Sequence, residues 1–323
     1  MSVLDRIDPE YLPIVKMVPI IDLEDVAAAR AALKAVFEAA GASPRDPLVV
    51  SADHHVPGWD GAPDVLVRTF RPADATGDLP ALLWIQGGGY VLGAADLDDA
   101  LCGQLAIEQQ CLVASVAYRR APEAPFPAAS DDCYAAARWL FAKVGELDID
   151  ASRIAVGGAS AGGGAAAALA LRARDGGDFA FVHQLLIYPM IDDRNDSDSA
   201  RRITDPELWS HKNNMLAWKA YLGDAHGSDD VSPYAAPSRA TDLGGLPPAA
   251  IFVGELDVFL DESIDYARRL IAAGVSAELH LYPAVHHGFD VHKVDAATSR
   301  RFIADRSHAL SRAFARPNDG GVR

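Results

Sequence analysis

Between Ile154 and Leu171 the chain runs 18 residues without a charge, and this run constrains the fold more than any other segment. Its length reaches the threshold for a membrane span, and it contains a Gly158-xxx-Gly162 spacing. Five of its residues are Gly and eight are Ala, so its transfer into lipid is weak beside that of a Leu/Ile/Val-rich span. A short strand, a tight turn and a buried helix start account for it better. The turn reads Gly158-Ala159-Ser160-Ala161-Gly162, directly after the strand-like Ile154-Ala155-Val156 and before an Ala-rich helical stretch. In that context GxSxG lets small residues hold a strained backbone that projects the Ser160 hydroxyl above a sheet edge. The helix N-terminus then turns free N–H groups toward charge forming there. The competing reading is a phosphate loop, since Gly162-Gly163-Gly164-Ala165-Ala166-Ala167 satisfies GxGxxA. In such a loop the first glycine closes the strand, whereas here five residues separate Val156 from Gly162 and no Walker-type Lys follows.

The surrounding chain supplies a matching scaffold. A helical segment is expected over Leu23–Ala40, followed by β-type runs at Val49–Ala52 and Val65–Phe70 around a turn at Pro57-Gly58. From Pro80 onward, apolar strand-like runs at 81–85, 112–117, 154–156, 184–188, 250–253 and 278–282 alternate with helical patterns. The helical stretches include 128–143, 165–174, 263–273 and 299–315. Continuous apolar strands separated by helices predict an α/β fold with a mostly parallel central sheet covered on both faces. The alternation breaks between Met190 and Leu246, where a polar run at Asp192–Ser199 leads into a Trp-bearing helical patch over Leu208–Leu222. The expected organisation is therefore an N-terminal helical cap segment (1–45), a first part of the core (46–189), a cap or lid insertion (190–245) and a second part of the core (246–323).

A serine hydroxyl attacks only when a base takes its proton, and the base needs an orienting acid. Gly254-Glu255-Leu256-Asp257 follows one buried strand, and Tyr282-Pro283-Ala284-Val285-His286-His287-Gly288-Phe289 follows the next. Both loops lie at the C-terminal strand ends, where catalytic groups of open α/β sheets collect. The candidate set is Ser160, Asp257 and His287, with Glu255 and Asp261 as rival acids and a helix N-cap as the bland reading of Asp257. His286-His287 resembles a metal pair, but no carboxylate cluster with metal spacing accompanies it, and no metal or cofactor is expected. Asp53-His54-His55 reads as strand and turn surface. Gln86-Gly87-Gly88-Gly89-Tyr90 closes a strand with three glycines that have no packing use. They let backbone N–H groups approach a ligand, and with the N–H of Ala161 they form a candidate oxyanion hole from Gly87, Gly88, Gly89 and Ala161.

These motifs together resemble the hormone-sensitive lipase-like family of carboxylesterases, with the α/β-hydrolase fold. The resemblance runs from about Pro80 to Phe289 and includes Tyr118-Arg119-Arg120-Ala121-Pro122-Glu123 before GxSxG and a late His-Gly-Phe. It implies a serine esterase acting on a small-molecule ester of short to medium chain length, with a helical cap from the N-terminus and the insertion. Tyr90, Tyr188, Trp209, Trp218, Val258 and Phe259 are the candidate pocket walls. Gln86 stands where the family has a His that braces the glycine loop, Ala159 where Asp or Thr is common, and Arg120 where Leu is usual. Gln retains a donor and an acceptor, so loop geometry is expected to survive. Arg119 and Glu123 are expected to form an ion pair behind the site. Other chemistries share this scaffold, including amidase, acyltransferase, lyase and a hydrolase-derived receptor; retention of His287 weighs against the receptor.

Charge and cysteines narrow the setting. With 29 Lys+Arg against 45 Asp+Glu, the net charge of −16 opposes nucleic acid and anionic membrane surfaces, and it disfavours anionic esters while helping to expel a carboxylate product. Cys102, Cys111 and Cys133 make too sparse a set for a disulfide framework, and the start of the chain lacks the basic and apolar regions of a signal peptide. A cytoplasmic protein without a membrane anchor is expected. A homodimer is a further expectation from the resemblance.

Overall fold

The structure is a computed structural model that describes residues 2–40, 46–94 and 96–315. Eight strands form one sheet: β1 (Val49–Val56), β2 (Val65–Pro72), β3 (Leu79–Ile85), β4 (Leu112–Ala117), β5 (Ile149–Ala159), β6 (Gln184–Ile187), β7 (Ala249–Leu256) and β8 (Ala277–His286). Their spatial order is β1-β2-β4-β3-β5-β6-β7-β8. The two pairings made by β2 are antiparallel, and every pairing from β4 to β8 is parallel. All residues of β3 and β6 are buried, as their unbroken apolar runs require, whereas the edge strands β1 and β8 alternate. The helices are α1 (Leu12–Val15), α2 (Val26–Ala40), α3 (Asp99–Gln109), α4 (Ala128–Ala142), α5 (Ala161–Gly176), α6 (Asp198–Arg202), α7 (His211–Leu222), α8 (Leu260–Ala272), α9 (Phe289–His292) and α10 (Ala297–Phe314). Among these, α3 packs with α10 and α4 with α5 over the sheet.

The uncharged run becomes the end of β5 and most of α5, and among the described residues no helix is long and apolar enough to cross a membrane. Every expected strand is present, most of them longer than their apolar cores. β8 runs past Pro283 to His286; an edge strand tolerates Pro because one side of its backbone has no ladder partner. Ala284 has φ 57° there, and the register with β7 slips from Gly254↔Tyr282 to Leu256↔His286. That bulge re-aims the chain just before His287. Helix α3 fills an interval in which no element was expected, because Gly103 and two Gln dilute its apolar signal.

Between β6 and β7 the chain forms α6 and α7. The N-terminal segment meets this stretch directly: Asn213 accepts from the Leu23 N–H and donates to the Ile21 carbonyl, Lys212 pairs with Asp22 and Glu24, and Ser2 donates to Asp205. Arg30 of α2 reaches the glycine-loop side, donating to the carbonyls of Val91 and Ala121. The boundary expected after residue 45 falls at 41–45, outside the described residues, as does the tail 316–323 of the last expected segment.

The expected Arg119–Glu123 pair does not form. Arg119 leaves β4 toward α4 and makes a bidentate bond to the buried carboxylate of Asp132, which also accepts the Arg119 backbone N–H at 2.8 Å. Glu123 lies beyond the Ala121-Pro122 turn and pairs instead with Arg30 at 2.7 Å. The four-residue spacing between Arg119 and Glu123 is a helical rule, and this stretch is a turn that sends the two side chains to different helices.

Candidate active site

The parallel order from β4 to β8 brings the C-terminal ends of β3, β5, β6, β7 and β8 to one edge, so five loops far apart in sequence meet there. Ser160 lies between the end of β5 and the start of α5 with φ 58° and ψ −121°, a conformation that non-glycine residues avoid. Three backbone bonds over-determine it: its N–H donates to the Ile187 carbonyl at 2.9 Å, and its own carbonyl accepts from Gly164 and Met190 at 3.0 Å each. Small neighbours are compulsory at this turn. A Cβ at Gly162 would lie 1.9 Å from the Ile85 carbonyl oxygen, and one at Gly158 would lie 2.4 Å from the Gly162 backbone.

Two hydrogen bonds join the three expected residues. His287 Nε2 lies 2.9 Å from Ser160 Oγ, and His287 Nδ1 lies 2.8 Å from Asp257 Oδ2. Asp257 is fully buried and its other oxygen accepts the Phe259 N–H at 3.0 Å. Both carboxylate oxygens therefore act as acceptors, so the imidazole proton sits on Nδ1 and Nε2 is free to accept from the serine. Such an arrangement can take a proton from the hydroxyl and stabilise the resulting imidazolium. The rival acids are occupied elsewhere. Glu255 accepts the Ala284 N–H at 2.9 Å and pairs with Arg6, and Asp261 accepts the Ser199 N–H at 2.7 Å.

The glycine loop lies against the serine because β3 neighbours β5. A Cβ at Gly87 would be 2.9 Å from the Ala159 carbonyl and 3.5 Å from Ser160 Cβ. Gly88, Gly89 and Tyr90 all have positive φ, and among the described residues the amides of Gly88, Gly89 and Ala161 donate to no backbone acceptor in the turns and loops. Successive amides in this conformation form an anion-binding concavity. Tyr118 donates to the Gln86 carbonyl at 3.1 Å, and the buried Gln86 side chain lies beside Gly93, where the loop returns.

Of the candidate pocket residues, three surround His287. Tyr188 lies 4.5 Å from the imidazole between ring centroids, Phe259 5.1 Å and Trp209 6.4 Å. Trp209 also roofs the glycine loop, since a Cβ at Gly89 would meet its indole at 2.7 Å. Its Nε1 donates to Asn214, and Asn214 in turn donates to Asn195, a buried amide pair with no signal in the sequence. Tyr90 and Trp218 are fully buried elsewhere; Tyr90 stacks on Tyr221 at 3.8 Å and Trp218 packs beside both. Val258 is buried and its carbonyl accepts from Ser199 Oγ.

His286 points away from the serine and bonds His292 at 2.8 Å, with burial pulling its pKa down to about 3 and that of His292 to about 4. Among the described residues no group of three or more His, Cys, Asp or Glu side chains is arranged to hold a metal ion. Asp53-His54-His55 lies in β1, with Asp53 paired to Arg68 and His54 bonded to Thr69. A surface groove of about 530 Å³ between the N-terminal segment and α7 is lined by Leu23, Pro122, Pro125, Leu216 and Lys219, none of them a site residue.

Known proteins resemble this chain in fold and sequence. A family model described as alpha/beta hydrolase fold matches residues 82–291. Carboxylesterase NlhH of Mycobacterium tuberculosis is 40% identical over 234 residues, covering 72% of this chain and 73% of the relative. A bacterial heroin esterase structure superposes with a TM-score of 0.94 at 43% identity, covering 98% of this chain and 100% of that one. Esterase LipW from Mycobacterium marinum does so with a TM-score of 0.88 at 36% identity, covering 97% and 98%.

Proposed function

This chain belongs to the hormone-sensitive lipase-like carboxylesterases of the alpha/beta-hydrolase fold and is a carboxylic ester hydrolase; from that premise we propose that Ser160 is its nucleophile, His287 its general base and Asp257 the acid that orients His287. The observation that carries the reading is the continuous run of hydrogen bonds from Ser160 Oγ through both imidazole nitrogens to a buried carboxylate. His287 takes the Ser160 proton as the serine oxygen attacks the ester carbonyl, and the Gly88, Gly89 and Ala161 amides, with Gly87 in the same loop, receive the oxyanion. His287 then protonates the departing alcohol. Water, deprotonated by the same imidazole, attacks the acyl-enzyme and releases the carboxylic acid.

Short to medium acyl chains are the substrates supported best, since Ser160 is only 7% exposed and Trp209 covers the glycine loop. In this reading the N-terminal segment and residues 190–245 form the cap, and Trp209 and Phe259 face the substrate. Three buried, unpaired cysteines support a reducing, cytoplasmic setting. The edge strand β8 leaves Leu279 37% and Leu281 40% exposed, which supports a homodimer, tested by light scattering on the purified chain. Ser160→Ala tests the central claim. Hydrolysis of p-nitrophenyl acetate should fall by about 10³-fold or more, and the single covalent adduct formed with an organophosphonate should disappear. Wild-type turnover in the variant would remove Ser160 as the nucleophile.

A further inference from the structure

Asp290 takes no part in the steps above, yet its carboxylate is buried beneath the site. It lies in α9, three residues after His287, and Oδ1 accepts a hydrogen bond from Tyr188 at 2.9 Å. Tyr188 comes from another part of the sheet, immediately after β6, 102 residues away in sequence. Its backbone has φ 34° and is held by a 2.6 Å bond from its N–H to the Phe252 carbonyl of β7. Both residues are shielded from water, at 4% and 7% exposure, so solvent does not compete for the bond. The Tyr188 ring then stands 4.5 Å from the imidazole of His287 at 65°, with Phe259 presenting a second near-perpendicular ring. Among the described residues, the hydrogen bonds to the imidazole come from Ser160 and Asp257 alone. Its plane is therefore set by those two bonds and by the rings around it.

We propose that Tyr188, anchored through its hydroxyl to Asp290, is a positioning residue that holds the His287 ring in line between Asp257 and Ser160. The bond ties the end of β6 to the turn that carries His287, so the aromatic wall and the imidazole move as one unit. Without the anchor the Tyr188 ring gains freedom and α9 loses its side-chain tie to the end of β6. Proton transfer suffers, because its rate depends on alignment to within a fraction of an ångström, while substrate binding is left alone. The inference rests on the reading of His287 as general base.

The test compares Tyr188→Phe, which keeps the ring and removes the donor, with Asp290→Asn, which keeps an acceptor, Asp290→Ala, which does not, and the Tyr188→Phe/Asp290→Ala double variant. For p-nitrophenyl acetate, Tyr188→Phe and Asp290→Ala should each lower kcat by about tenfold with KM held within about twofold. The double variant should be no slower than the worse single one, and Asp290→Asn should stay within about twofold of the wild type. A purely structural role would lower the melting temperature without this split between kcat and KM. Should Asp290→Ala fail to fold, Tyr188→Phe and Asp290→Asn decide the matter between them. Organophosphonate labelling separates the two levels of the argument. A wild-type protein unlabelled at Ser160 overturns the triad, whereas full labelling of Tyr188→Phe at the wild-type rate overturns the positioning role alone.

Discussion

Replacing Asp257 by Asn alters one atom of a fully buried side chain and should disable the relay. In the wild type, Oδ1 accepts the Phe259 N–H at 3.0 Å and Oδ2 accepts from His287 Nδ1 at 2.8 Å. An amide can satisfy only one of these as an acceptor. If its oxygen keeps the Phe259 N–H, its NH₂ faces Nδ1, which must then accept, and the imidazole proton moves to Nε2. That nitrogen faces Ser160 Oγ at 2.9 Å and can no longer take its proton. If the amide flips, two donors face each other at Phe259 around a fully buried side chain, costing about 1–3 kcal/mol. Even then no negative charge remains to stabilise the imidazolium. The combined loss should be about 10⁴-fold in kcat, equivalent to ~5 kcal/mol. Turnover of p-nitrophenyl acetate and the rate of phosphonate labelling at Ser160 measure it, with a thermal melt confirming that the variant folds. Glu255→Gln is the control and should lose no more than about threefold, since Glu255 serves Ala284 and Arg6. A loss below about tenfold for a folded Asp257→Asn would refute the tautomer argument.

Two further outcomes follow from Trp209 and His183. Trp209→Ala removes the indole above Gly89 and should shift the p-nitrophenyl ester profile toward longer acyl chains; an unchanged profile would separate Trp209 from the acyl pocket. Burial lowers the pKa of His183 from 6.5 to about 4, so below pH 6.5 the unfolded chain takes up a proton that the native state refuses. Its contribution to stability is intact above pH 6.5 and is lost as the pH falls toward 4. Urea midpoints measured at pH 7 and pH 4.5 should therefore drop less for His183→Leu than for the wild type, and parallel drops would contradict it.

Elements whose signal is local were legible in the chain itself. The GxSxG turn, the triple glycine after β3 and the apolar strand cores all depend on residues within a few positions of one another, and each lies where its pattern put it. Helix α3 and the final turn of β8 were not legible, because Gly103 and Pro283 weaken propensities that burial and edge position then override. The pocket residues divide by the same criterion. Aromaticity marked all of them except Val258, but only the packing of α7 sends Trp218 into the core and leaves Trp209 over the loop.

What the sequence determined by itself was an order: a serine on a strained turn, then an acid, then a histidine, each just beyond a strand-like run. That order follows from the chain's direction through a parallel sheet. The identity of the partners belonged to the tertiary structure. Asp257 was chosen over Glu255 and Asp261 because the bulge in β8 delivers His287 to it, while the other two carboxylates meet backbone amides first. Arg119 found Asp132, Glu123 found Arg30 and Tyr188 found Asp290, pairings set by which faces the sheet register and the turns bring together. Charge and hydrogen-bonding capacity are written in single residues. Proximity across a hundred residues is written only in the packing.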